Sequence, residues 1–202
     1  MFILGLTGSI GMGKSTAAID FRRLKVAVHD ADATVHTLMA PGGGAFEKIC
    51  QVFPGARSKA GIDRKRLGDL VFADTAALKR LEAILHPLVR IHKTEFLRRS
   101  ALRRQKLVVL DVPLLYETGT EAKCDAVVVV TAPAFVQRAR VMSRPGMTAE
   151  KFESILAKQV PDVIKRRSAD FIVQTGLGRL ESLRTIRHIA YITQSLKPNK
   201  WP

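Results

Sequence analysis

The chain has 202 residues, 47% apolar and 25% charged, the balance of an ordinary globular protein with room for one domain and an inserted subdomain. Its 33 lysines and arginines outnumber 18 acidic residues, and the resulting +15 charge suits polyanionic partners: nucleic acid, a membrane surface or a multiply charged small substrate. No apolar run approaches the ~20 residues of a membrane span, and Cys50 and Cys124 have neither metal nor disulfide spacing.

The first apolar run, Phe2–Leu6, leads directly into GLTGSIGMGKST, which leaves no signal-peptide pattern; a reducing cytoplasm is the expected compartment. The glycine-rich stretch matches G-x-x-x-x-G-K-[ST] through Gly8, Gly13, Lys14 and Ser15. Such a loop turns its N–H groups onto phosphate oxygens, and the helix that opens near Lys14 adds its positive end. The expected nucleotide-binding residues are Gly8, Ser9, Gly11, Met12, Gly13, Lys14, Ser15 and Thr16, the last of which is also the next residue of the helix. Lys14 would reach the β- and γ-phosphates, and Ser15 would place its hydroxyl on Mg²⁺.

The second run, Lys25–His29, ends in HDADA. Asp30 and Asp32 fall on one side if the chain stays extended, and a turn would separate them. One of the two caps the next helix, and Asp32 is the candidate to accept or orient the proton of an acceptor hydroxyl. Residues 38–100 then break the strand rhythm with helical patterns at 64–72 and 75–100, punctuated by PGGG and PGARSKAGID. They are expected to form a helical insertion, with His86-Pro87 as a packing or helix-end feature.

The third run, Leu107–Asp111, ends on an acidic residue placed to support Mg²⁺ through water, so Ser15 and Asp111 are the candidate metal residues. The chain reads DVPL there rather than DxxG, and no NKxD is present, which argues against a signalling GTPase. After the fourth run, Ala126–Thr131, comes QRARVMSRPGMT, read as the start of a lid at about 138–160. Its Arg140 is the candidate cation for the transferring phosphate; Arg144 shares its face at helical spacing and is a further candidate for binding the nucleotide, and Arg138 divides evenly between function and surface charge. The fifth run is Asp170–Val173, and LKPNKWP ends the chain as a loose tail.

Five short apolar runs, the middle three dominated by Val, are separated by helical stretches and predict an α/β, P-loop, doubly wound parallel five-stranded sheet with helices on both faces, a helical substrate-binding insertion and a lid. The expected division is a nucleotide-binding core at 1–37 and 101–202, with the insertion at 38–100. The basic clusters at Arg98-Arg99, 103–106 and 165–167 lack interleaved aromatics and read as solvated helix faces.

LGLTGSIGMGKST, HDADATVH, GIDRKRLGDLVFAD, LKRLEAILHPLVR, VVLDVPLLYETG and VQRARVMSRPGMTAEKFESILAKQV followed by SADFIV together resemble the dephospho-CoA kinase family, in order and over nearly the whole chain. The resemblance implies transfer of the γ-phosphate of ATP to the ribose 3′-hydroxyl of dephospho-CoA. It implies ATP and Mg²⁺ at Lys14 and Ser15, the acceptor hydroxyl at Asp32, and the moving phosphate at Arg140. His86, Leu114, Leu115 and Glu117 fall in family stretches assigned to the acceptor, whose pantetheine arm the insertion would hold. Thr175 stands where the family pattern carries Asn, which leaves base selection open there. The expected partners are ATP and dephospho-CoA, with no membrane, and the expected state is a monomer or small homo-oligomer. Two alternatives remain: another nucleoside or nucleotide kinase, and a basic nucleic-acid-binding ATPase.

Overall fold

The computed structural model describes residues 1–58, 61–72 and 74–200. In chain order the elements are β1 (Phe2–Thr7), α1 (Lys14–Arg23), β2 (Ala27–Asp30), α2 (Ala31–Met39), α3 (Phe46–Val52), β3 (Arg57–Ser58), β4 (Gly61–Ile62), α4 (Arg64–Phe72) and α5 (Thr75–Leu102). Beyond them come β5 (Leu107–Asp111), β6 (Ala126–Thr131), α6 (Ala134–Met142), α7 (Ala149–Ala157), α8 (Asp162–Arg167), β7 (Phe171–Gln174) and α9 (Arg179–Thr193).

The five long strands form one sheet in the order β2-β5-β1-β6-β7. β1 pairs in parallel with β5 and β6, and β6 with β7. β1, β5 and β6 are buried along their whole length, which explains their unbroken apolar character: both faces are covered. Phe21 of α1 and Ile186 and Ile189 of α9 pack with Leu4, Leu6 and Val128. Each such side chain, removed fully from water, contributes roughly 1.5–3 kcal/mol. Because the strands run together, the loop after β1, Asp111 of β5, Thr131 of β6 and Gln174 of β7 all lie at one edge of the sheet.

Two compact units are distinguished: Met1–His29 with Ser100–Pro202, and Asp30–Arg99. The second has its own core, in which Leu38, Ile49, Phe53, Leu67, Val71 and Leu81 are buried.

Several local expectations change. A short antiparallel ladder of β3 and β4 interrupts the helical segment, where the sequence offered only turn residues. His86 and Pro87 do not end a helix: they lie inside α5, which runs unbroken for 28 residues, about 42 Å. Pro87 is exposed there; proline lacks only one donor, and on an exposed face water can serve the freed carbonyl. The tail is tied down rather than loose, since Asn199 and Lys200 donate their N–H groups to Asp125 Oδ1 at 2.6 and 2.8 Å. The same carboxylate takes Ile3 N–H at 2.7 Å through its other oxygen. Trp201 and Pro202 lie outside the described residues.

Candidate active site

The glycine-rich loop leaves β1 and enters α1 with Gly13 as N-cap, in left-handed conformation at φ 92°. Gly8 is required by proximity: a Cβ there would lie 2.7 Å from the Val130 carbonyl oxygen and closer still to that valine's side chain. The loop is braced from β6, where Ala132 N–H donates to Met12 Sδ at 3.1 Å. Beside Met12 a pocket of about 480 Å³ opens, bordered by Thr131, Pro133, Gln137, Asp162, Arg166 and Gln174.

Lys14, the first residue of α1, turns its ammonium to Asp111 Oδ1 at 2.6 Å. The carboxylate is almost fully buried and the lysine largely so (3% and 15% side-chain exposure), so the two charges stabilise each other away from bulk water. Ser15 and Thr16 are exposed at the helix start. The structure thus brings Lys14 and Asp111 together at the edge of the sheet, beside the positive end of α1, with Ser15 the next residue of that helix.

Arg140, in α6, reaches back to the same loop. Its guanidinium donates to the Thr175 carbonyl at 2.7 Å, to the Thr175 hydroxyl at 2.9 Å and to Gly11 O at 3.5 Å. Arg144 does not share its helical face, because α6 ends at Met142 and Arg144 falls in the turn beyond. Arg138 pairs with Glu153 of α7 at 3.6 Å, and both side chains are more than half exposed.

In the stretch after β5, Leu114 is exposed, whereas Leu115 is fully buried and packs over Gly5. Glu117 accepts Val160 N–H at 2.8 Å and lies 2.9 Å from the ammonium of Lys165. Burial pushes the Glu117 carboxyl up, but hydrogen bonds from Lys165 and backbone N–H groups, with the lysine charge, outweigh it and hold the carboxyl below its usual range. Lys165 has no exposed surface at all. The cluster 165–167 is therefore not a uniformly solvated face.

In the second unit, α2 begins at Ala31, so the two aspartates of HDADA are separated. Asp30 is the N-cap and accepts Ala33 N–H at 2.9 Å. Asp32 sits exposed in the first helical turn, with its carboxylate uncommitted among the described residues.

The family model for dephospho-CoA kinase (CoaE) matches residues 2–178. This chain belongs to the dephospho-CoA kinase family. The dephospho-CoA kinase of Rhodospirillum rubrum is 58% identical over 186 residues, covering 92% of this chain and 88% of its own length. The structure is similar to that of a Thermus thermophilus protein, with a TM-score of 0.82 and 35% identity over 97% of this chain and 98% of the other. It is also similar to the dephospho-CoA kinase of Campylobacter jejuni, with a TM-score of 0.68 and 25% identity over 96% and 98% of the two chains. As a member of the family the chain is a kinase that phosphorylates dephospho-CoA with ATP as donor, in coenzyme A biosynthesis. Nothing in these similarities favours a nucleic-acid-dependent ATPase or a different nucleotide kinase.

Four residues around the candidate site were not picked out by the sequence motifs. Thr175 donates its single hydroxyl proton to Met12 O at 2.7 Å while accepting from Arg140. Gln137 and Gln159 hold Ile10 from two sides, and Lys165 neutralises Glu117. No spacing announces such residues, since each works through a partner distant in sequence; only the departure from the family Asn drew attention to Thr175. No helix among the described residues is long and apolar enough to cross a membrane.

Proposed function

We propose that this kinase transfers the γ-phosphoryl group of ATP to the ribose 3′-hydroxyl of dephospho-CoA in the cytoplasm, with the loop at 8–16 as donor cradle and Asp32 at the acceptor. The observation that carries this reading is the Lys14–Asp111 contact of 2.6 Å at the N-terminus of α1. Asp111 holds the ammonium at the loop until phosphate oxygens take over the lysine, whose charge and three donors suit the β- and γ-positions.

Mg²⁺ fits the donors available. The Ser15 hydroxyl and the Asp111 carboxylate are hard oxygen ligands, and this ion needs only one or two of them beside phosphates and water. Among the described residues no group of three or more His, Cys, Asp or Glu could hold a metal ion by itself. Bound there, Mg²⁺ would offset charge on the β- and γ-phosphates.

Arg140 neutralises charge on the equatorial oxygens of the moving phosphoryl group, and its fork to Thr175 restricts where the guanidinium can go. Asp32 orients the 3′-hydroxyl and takes its proton; an exposed, uncommitted carboxylate is free for both. The helical segment 38–100 holds the pantetheine-bearing acceptor, with His86 on α5. From 114–117, Leu114 is available for direct contact, while Leu115 and Glu117 shape the segment from within. Arg144, exposed beyond α6, steers the polyphosphate by charge.

The test is formation of coenzyme A from dephospho-CoA and Mg·ATP by the purified protein, beside a panel of nucleosides and nucleotides. Folded, ATP-binding protein that makes no coenzyme A overturns the reading. ATP hydrolysis stimulated by RNA or DNA, and lost steeply with salt, would favour the nucleic-acid alternative.

A further inference from the structure

Ser9, Ile10, Gly11 and Met12 form a turn closed by Met12 N–H on Ser9 O at 3.1 Å, and Gly11, its third residue, has φ 77°. A positive φ at that position belongs to the turn type in which the peptide between the second and third residues is turned over. Here that is the Ile10–Gly11 peptide. Gln137 Nε2 donates to Ile10 O at 2.8 Å, and Gln159 Oε1 accepts Ile10 N–H at 3.1 Å. Two side chains, from α6 and from the segment after α7, therefore grip one loop residue from both sides.

The carbonyl and N–H of a trans peptide point in opposite directions. By holding Ile10 O, Gln137 thus fixes the direction of Gly11 N–H. Gly11 is buried, and among the described residues its N–H donates to no protein group. A backbone donor left without a protein partner in a phosphate loop is a berth for an anionic oxygen. The second grip is itself anchored, because Val160, next to Gln159, is held by the Glu117 carboxylate that pairs with Lys165.

We propose that Gln137 and Gln159 are positioning residues for the donor: they clamp Ile10 and thereby aim Gly11 N–H at an oxygen of the triphosphate. The proposal rests on the reading of this loop as the ATP cradle and extends it to two residues outside the motif. Neither glutamine touches the reacting atoms.

The test is ATP affinity by titration calorimetry without acceptor, together with melting temperatures, for Gln137→Met, Gln159→Met and Gln137→Glu. Each methionine variant keeps the length and loses the hydrogen bond, and should bind ATP about tenfold more weakly. The glutamate variant separates positioning from packing. Its ionised carboxylate cannot donate to Ile10 O, whereas the protonated form can. Its affinity relative to wild type should therefore be weak at high pH and recover as pH falls through the carboxyl pKa; Gln137→Met should show no such recovery. Folded methionine variants with wild-type affinity, or a Gln137→Glu profile parallel to Gln137→Met, would overturn the clamp. If the methionine variants do not fold, the pH profile of Gln137→Glu against wild type decides alone. Failure of the wild type to make coenzyme A would refute the acceptor assignment and leave these ATP affinities readable.

Discussion

Arg140 and Thr175 are bonded twice, from the guanidinium to the threonine carbonyl at 2.7 Å and to its hydroxyl at 2.9 Å. The hydroxyl donates its own hydrogen bond to Met12 O at 2.7 Å, so a cation on α6 is tied through one small side chain to the phosphate loop. Replacing Thr175 by Val keeps the shape and the carbonyl bond to Arg140 but removes the hydroxyl that joins the guanidinium to Met12 O. Two partners lose a hydrogen bond, at a cost of about 1–3 kcal/mol. Calorimetry should register a melting temperature lower by roughly 2–4 °C per kcal/mol. The turnover number should fall as well, because Arg140 gains freedom; unchanged turnover would mean that the hydroxyl does not restrain it.

Lys14→Met should abolish measurable turnover and also destabilise the protein, on the order of 3 kcal/mol, by leaving the buried Asp111 carboxylate without its ammonium. Asp111→Asn added to that variant should return most of the stability and none of the activity. Denaturant unfolding of the two single variants and the double variant measures the coupling. Additive losses would deny that the pair is a unit.

Asp32→Asn should lower turnover by about a hundredfold or more if the carboxylate removes the proton. ATP affinity and melting temperature should both stay near wild type, since Asp32 is exposed and uncommitted. Steady-state kinetics with calorimetry separates these quantities. Wild-type turnover in this variant would remove Asp32 from the mechanism.

The carboxyl of Glu117 has its pKa lowered in the folded protein. Stability from that shift is fully present above the unfolded value of about 4.5 and is lost as pH falls through the lower folded value. Melting temperatures recorded between neutral pH and about pH 3 should therefore drop for wild type more steeply than for Glu117→Gln, which cannot titrate there. Equal slopes would remove this group from the acid response.

Much of this architecture is legible in local sequence. The strands at 2–7, 107–111 and 126–131 are continuous apolar runs because both faces of the sheet are covered, and the loop between β1 and α1 is a motif whose spacing follows from phosphate geometry. The helices at 64–72 and 75–102 appear at the expected places as periodic patterns. Less legible were the competitions between neighbours. Asp30 and Asp32 are both plausible caps in sequence; the start of α2 at Ala31 gives Asp30 the cap and frees Asp32. Arg144 is at helical spacing from Arg140, and the end of α6 at Met142 cancels that relation.

By itself the sequence determined the phosphate loop, the strand-forming runs and the family, since each is written in contiguous residues whose chemistry acts locally. Only the tertiary structure decided which polar side chains are committed. Ile10 meets Gln159 across 149 positions, Met12 meets Thr175 across 163, and Lys14 meets Asp111 across 97. Lys165 lies in a basic triplet, yet the fold buries it against Glu117. A side chain's chain position carries no record of such partners; they are fixed when the sheet brings its strand ends to one edge.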